Sequence, residues 1–223
     1  MRTGSFPPLF QKKRDPWAAL KKTGQSRSFN RKDMLARVGD SADELYLLEK
    51  GRVRLFSSSP QGRNLTLSIV EAGDIFGEQV LFPGQNWVSD AQALSDGVLY
   101  AIPRQNLELL LEQEPNLVLQ IMENLGQRLQ AVERRLGDLV FKSVPERLAA
   151  LLLDLIGPKA RQSDGPTPVP NRYTHLQLAE MINTHRETVT KVFNRFRDDE
   201  VLDFDRQKII LLDMERLREM ALR

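Results

Sequence analysis

The sequence predicts an α+β fold: a β barrel or jelly roll, then one long helix, then a small helical domain closed by a β hairpin. Three observations carry this. Between about Ser28 and Pro103, short β-branched and aromatic runs alternate with glycine turns, the spacing of a barrel or jelly roll. From Pro115 to Leu139 apolar residues fall in an unbroken seven-residue repeat. From Thr174 to Arg197, THLQLAEMINTHRETVTKVFNRFR reads as two short helices joined by a tight turn.

Composition narrows the function classes. The chain has 223 residues, 41% of them apolar, enough for one or two buried cores. No apolar run approaches the length of a bilayer span, so no membrane partner is expected. Arg2 is followed by the proline-bearing stretch Phe6–Phe10 and then by Lys12, Lys13 and Arg14, which is no secretory pattern; a cytoplasmic location is expected. Cysteine is absent, which excludes disulfides, thiol catalysis and cysteine-built zinc or iron–sulfur sites. Both histidines, His175 and His185, lie in the two-helix segment, so no metal site and no cofactor is expected. Asp74 and Glu78 are neighbours in sequence, but no nucleophile, base or metal set joins them, and no enzyme is expected. Net charge is only +2, yet residues 1–37 hold ten Lys/Arg against two Asp, and residues 172–197 hold five against two Glu.

Taken in order, residues 1–27 have prolines at 7, 8 and 16 and little periodicity, and read as a basic N-terminal arm. Residues 28–114 form the β-rich domain, in which Gly62 closes the SSSPQGRN hairpin and Gly77 sits at a turn needing φ > 0 or close packing. In the long helix, residues 115–141, Val118, Met122, Leu125, Leu129, Val132, Leu136 and Leu139 are spaced 4, 3, 4, 3, 4, 3. A surface helix needs only a helical-period apolar face, whereas a strict two-row seam points to a coiled-coil partner, so this element is read as a dimerisation helix. Ser143 and Glu146, with Pro145 between them, form a capping box that opens the C-terminal domain, residues 142–223. Gly157 and Pro158 end the helix RLAALLLDLI, and KARQSDGPTPVPNRY reads as a polar loop long enough to be an exposed contact surface.

In the two-helix segment, Thr174 with Gln177 and Thr184 with Glu187 each fit a capping box. Leu176, Leu178, Ala179 and Ile182 are expected to bury the first helix, and Val189, Val192, Phe193 and Phe196 the second. Asn183 fits a left-handed turn between them. Helices this short need further cover, which the helix Leu148–Ile156 and a hairpin around Asp205-Arg206-Gln207 can provide. The whole is a winged helix-turn-helix, whose second helix lies in the DNA major groove. His185, Arg186, Glu187, Thr190 and Lys191 are the candidate base readers: Arg186 can donate twice to guanine, and Glu187 can accept from cytosine. Thr174, His175, Thr184 and Arg195 are candidates for backbone contacts. Glu187 can instead only cap the helix, and Arg195 can instead pair with the acidic run Asp198–Glu200.

In this order the parts resemble the CRP/FNR superfamily of bacterial transcription regulators, from about residue 28 to 212. LYLLEKGRVRLF, EAGDIFGE, the heptad helix and RETVTKVFNRFRDDEVL carry the likeness. The resemblance implies a cyclic-nucleotide-binding-like β roll of double-stranded jelly-roll type, a dimerisation helix and a C-terminal winged helix. It implies a homodimer on palindromic duplex DNA and a contact with RNA polymerase through the loop Pro158–Pro170, more as an activator than a repressor. The family's base-reading Arg-Glu pair falls on Arg186 and Glu187.

The resemblance also locates an altered effector pocket. Gly77 and Glu78 match the family's ribose-binding Gly-Glu. The Arg-Ser or Arg-Thr pair that holds a cyclic phosphate falls on Trp87 and Val88, which bring neither a cation nor a fork of donors. Control by cyclic AMP is therefore not expected. Two alternatives stay open: a dimer competent for DNA without any ligand, and an unknown small-molecule effector such as 2-oxoglutarate, for which Arg128 is a candidate cation.

Overall fold

The computed structural model describes residues 15, 17–160, 165–205 and 208–222, with the side chains of 158 and 159 excepted. Most of the proposed N-terminal arm, the middle of the Pro158–Pro170 loop and the hairpin tip at 206–207 lie outside the described residues. The chain divides into two units: the described residues up to Leu55 together with Ser68–Arg128, and Phe56–Leu67 together with Leu129–Arg223.

Strand alternation builds the first unit. In β3 (Glu44–Lys50), Leu45 and Leu47 point to one side of the sheet and Leu48 to the other, and all three are fully buried. The sheet containing β3 is covered on both faces. Its order is β1 (Gln25–Phe29), β8 (Gly97–Pro103), β3, β6 (Ile75–Phe76). A second sheet runs β2 (Met34–Ala36), β7 (Asp90–Ala93), β4 (Val53–Ser58), β5 (Asn64–Val70). Between them lies a core of Phe29, Leu48, Val53, Phe76, Trp87 and Leu99. The opposite face of β3 packs under helices α1 (Ala18–Thr23), α2 (Arg104–Gln113) and the start of α3 (Pro115–Phe141), through Leu20, Ile102, Leu107, Leu117 and Ile121.

The basic arm therefore ends earlier than residue 27. Trp17 and Leu20 are core residues, and a boundary at residue 28 falls inside β1. The amphipathic turn WAALKK is too short for a periodic signal to stand out against its lysines.

The second unit gathers around α4 (Val144–Ala160), α5 (His175–Met181) and α6 (Arg186–Asp198), with α7 (Met214–Leu222) packed along α4. Leu148, Leu152, Leu178, Val189, Phe193 and Phe196 are its buried centre. At α4, the Glu146 carboxylate accepts from the Ser143 N–H at 2.7 Å. Gly157, at φ 76 and ψ 169, breaks the helical path of α4 near the expected place. The hairpin forms as β10 (Leu202–Phe204) and β11 (Ile209–Leu211), and β9 (Thr167–Pro168) adds to β11 as a third strand. That strand corrects the polar-loop reading: Thr167 and Val169 are buried, and the Val169 N–H donates to Ile209 O at 2.9 Å. Alternation in Thr-Pro-Val turns these two side chains inward, and the three prolines masked it. Among the described residues no helix is long and apolar enough to cross a membrane.

Candidate nucleic-acid interface and effector site

The helix-turn-helix is locally determined. Thr174 caps α5 as a full box: its hydroxyl accepts from Gln177 N–H at 3.2 Å, and the Gln177 side chain accepts from Thr174 N–H at 2.8 Å. Asn183 has φ 51, the left-handed conformation the turn requires. The expected Thr184–Glu187 box does not form. His185 is the N-cap of α6, without a side-chain cap bond, and Thr184 lies one residue upstream, its N–H donating to Ala179 O at 3.0 Å. Leu176 also departs from expectation, at 52% exposed. Two residues turn a helix by about 200°, so Leu176 cannot share a face with Leu178, and Met181 takes the buried place.

On α6, Val189, Val192, Phe193 and Phe196 form the buried face, as the spacing predicted. Each such side chain stabilises the unit by about 1.5–3 kcal/mol. That face fixes what points outward. His185, Arg186, Glu187, Lys191 and Arg195 are exposed, and Thr184 and Thr190 are half-buried. Among the described residues, the side chains of Arg186, Glu187 and Lys191 make no hydrogen bond or ion pair within the chain. Asn194, not singled out from sequence, lies seven residues after Glu187 on the same outward row and is exposed. The i, i+4, i+7 spacing Glu187, Lys191, Asn194 was the available signal.

Two of the candidates are tied to each other. His175 Nδ1 lies 2.9 Å from Thr190 Oγ1, and the Thr190 hydroxyl donates to Arg186 O at 3.0 Å. This chain is satisfied when Nδ1 carries the imidazole proton. The His175 ring packs on Phe193 and Phe204, with centroids 4.7 and 5.5 Å away. Burial, and then the positive charge of Arg186, hold the His175 pKa below its ordinary value. Arg195 lies 3.7 Å from Asp199, which is also 3.6 Å from Arg216. Arg195 thus has the acidic neighbour foreseen as its alternative, although at 73% exposure the pair contributes little. Thr174 is exposed at the start of α5.

In the first unit, Gly77 stands at φ 80 before the 3-10 turn Glu78–Leu81. A Cβ there would meet Glu44 O at 2.9 Å and Trp87 Cζ2 at 3.2 Å, so both conformation and space require glycine. Trp87 is buried against Tyr46 and Phe76, with ring centroids 6.1 and 6.2 Å away. Val88 is 69% exposed. Arg128 of α3 donates to Glu78 Oε2 at 3.1 Å, an ion pair that sequence reasoning did not find for either residue.

The heptad rows on α3 are unequal. Met122, Leu129 and Leu136 are about 60% exposed, flanked by exposed Leu119, Val132 and Val140. Val118, Leu125 and Leu139 are half-buried, and Leu125 packs on the core of the first unit.

Together these parts define a DNA-binding transcription regulator: a cyclic-nucleotide-binding type of roll, a long helix with an open apolar stripe, and a winged helix-turn-helix. Residues 26–114 match the cyclic nucleotide-binding domain, and residues 146–220 match the Crp-like helix-turn-helix domain. The chain is 33% identical over 180 residues to the transcriptional regulator SdrP of Thermus thermophilus, covering 80% of this chain and 84% of that protein. It is 29% identical over 204 residues to a CRP-like cAMP-activated global transcriptional regulator of Mycobacterium tuberculosis, covering 92% and 91%. The crystal structure of a CRP/FNR-family transcriptional regulator from Thermus thermophilus has the same fold, with a TM-score of 0.74 at 32% identity over 89% of this chain and 99% of that one. The chain belongs to the CRP/FNR family of transcription regulators. Its relatives are DNA-binding regulators rather than enzymes.

Proposed function

We propose that the protein acts in the cytoplasm as a homodimer that binds a two-fold symmetric duplex site, activates transcription through RNA polymerase, and needs no cyclic AMP. One observation carries the DNA part of this reading. The outward face of α6 presents Arg186, Glu187 and Lys191 without partners among the described residues, while four buried side chains hold the helix in place. Arg186 and Glu187 read base edges, Lys191 and Thr190 flank them, and Asn194 joins the row. His185 joins the base readers, Thr174, Thr184 and Arg195 serve the phosphates, and His175 holds α5, α6 and the wing together. Dimerisation is supported by the open row Met122, Leu129, Leu136 on α3. The surface offered to polymerase is the segment Pro158–Pro170, of which β9 is the anchored end.

Independence from cyclic AMP rests on the roll. A cyclic phosphate needs a cation or several donors. Trp87 instead belongs to an aromatic cluster, Val88 is apolar, and Arg128 already faces Glu78. The same pair argues against a dicarboxylate such as 2-oxoglutarate at Arg128, because its charge is matched. The test is selection of binding sites from random duplex DNA by protein freed of small molecules, with and without cyclic AMP. A palindromic site recovered equally in both arms is expected. Recovery only with cyclic AMP would overturn this reading of the roll.

A further inference from the structure

His175 is bonded at one ring nitrogen and open at the other. Nδ1 lies 2.9 Å from Thr190 Oγ1, whose own proton is committed to Arg186 O at 3.0 Å. The Thr190 oxygen therefore accepts, and Nδ1 carries the proton of the neutral ring. Nε2 is left with a lone pair. It has no hydrogen-bond partner among the described residues and is not sealed from solvent. The residue lines a groove of about 350 Å³ between the start of α5 and the wing, together with Arg172, Thr174, Phe204 and Asp205. Buried Tyr173 and Ile209 complete it.

The charged groups around the ring come from three places. Arg172 precedes α5, and Asp205 sits on the wing, where its carboxylate accepts from the Lys208 N–H at 2.9 Å. Arg186 of α6 acts on the ring through its charge, and Arg197 of α6 lies over the Phe204 ring, 5.1 Å from its centroid. Asp203 alternates to the other side of β10, and Glu187 and Lys191 lie about 100° further round α6 than Arg186 and Thr190. Cations thus outnumber carboxylates here, which keeps the ring neutral in the free protein and suits the groove to an anion. A neutral ring in this tautomer cannot meet a phosphate, because Nε2 and the phosphate oxygen would turn lone pairs on each other. A protonated ring can, since it donates from both nitrogens.

We propose that His175 is a proton-linked phosphate contact: as a duplex seats on α6, Nε2 takes one proton from solvent and donates to a backbone phosphate oxygen, while Nδ1–H stays on Thr190. This role rests on the reading of α6 as a DNA-binding helix. It joins a phosphate contact to the base-reading helix through one hydroxyl. A phosphate raises the ring's pKa in the complex above that in the free protein. Binding therefore tightens as pH falls through the pKa of the complex, and levels off below the pKa of the free protein.

Phosphates are common to every sequence, so the test needs no operator. Full-length protein would be titrated with a random-sequence duplex of about 30 base pairs at about 50 mM salt, followed by fluorescence anisotropy. Between about pH 8 and about pH 6 the affinity should rise roughly tenfold or more. Calorimetry in two buffers of different ionisation enthalpy should find uptake of up to about one proton per chain. His175→Asn keeps a donor near the Nδ1 position and has nothing at Nε2; shown to be folded by its thermal melt, it should lose both the gain and the uptake. His185→Gln should keep both. His175 and His185 are the two histidines of the sequence, so His185→Gln settles the assignment if His175→Asn does not fold. Equal affinity across the range without proton uptake overturns the proposal, and so does a gain that survives in folded His175→Asn or vanishes in His185→Gln. Absence of any duplex binding would overturn the reading of α6 itself, and this role with it.

Discussion

Arg186 and His175 are neighbours with opposite tasks. Arg186 is exposed and free of internal partners, so replacing it with alanine should leave the melting temperature unchanged. If it reads guanine, Arg186→Ala costs about 1–3 kcal/mol of discrimination between matched and mismatched sites. Equal losses on both sites in a binding titration would assign it to phosphate instead. His175 is held neutral by burial and by the charge of Arg186, so its folded pKa lies below the ordinary 6.5. A group with a depressed imidazole pKa binds more protons when unfolded. Stability is therefore full above about pH 6.5 and declines as pH falls through the folded pKa. Thermal melts between neutral and mildly acidic pH should show this decline, and His175→Gln should flatten it; an unchanged slope in that variant would place the proton elsewhere. At this scale the sequence was half legible. The types and spacing of Arg186, Glu187 and Lys191 sufficed to find them, because an outward row on a helix is a matter of phase. The bond from His175 to Thr190 joins residues 15 apart on different helices, and periodicity carries no information about such a pair.

Among the elements, α3 shows what a repeat can and cannot say. The spacing 4, 3, 4, 3 was read directly and the helix forms over its whole length. Which row is open was not legible, because the core of the first unit takes Leu117, Ile121 and Leu125 from an adjacent stripe of the same helix. The open row makes a definite expectation. Leu129→Glu with Leu136→Glu removes about 1.5–3 kcal/mol of burial per leucine and adds charge repulsion across a two-fold seam. Light scattering after gel filtration should find a dimer for the wild type and a monomer for the double variant, and a dimer in the double variant would exclude this face. Among the elements missed from sequence, α1, β9 and α7 share one cause: each is short, so its pattern spans too few residues to stand above background. In α7, Met214, Leu217 and Ala221 do follow helical spacing, but only once along the element.

For the molecule as a whole, the order of parts along the sequence is enough to indicate the class. A roll, a heptad helix and a winged helix-turn-helix in that sequence leave few alternatives. The Glu78–Arg128 pair was invisible, since it depends on side chains 50 residues apart meeting in space. With a net charge of only +2, affinity for DNA must come from local basic groups rather than from the charge of the whole. Binding by a dimer with six or more phosphate contacts should weaken by about 10³-fold between roughly 50 and 200 mM salt. Fluorescence anisotropy across that range measures the slope, and salt-independent binding would argue that the helix-turn-helix meets a protein instead.

The segment Phe56–Leu67, which turns β4 back into β5, belongs with Leu129–Arg223, and this bears on how the chain is made. Asn64 bonds Glu180, 116 positions away, at 3.2 Å, and Leu67 receives Arg135 from 68 positions away. Closing loops that long is slow compared with forming a hairpin or a helix. A ribosome delivers this segment long before it delivers α5, so Leu65 and Leu67 emerge with no surface to cover them. The C-terminal unit, expressed as a fragment, lacks the contacts of a segment translated earlier. Late docking of an early segment is a step at which a chain of this topology is exposed to aggregation.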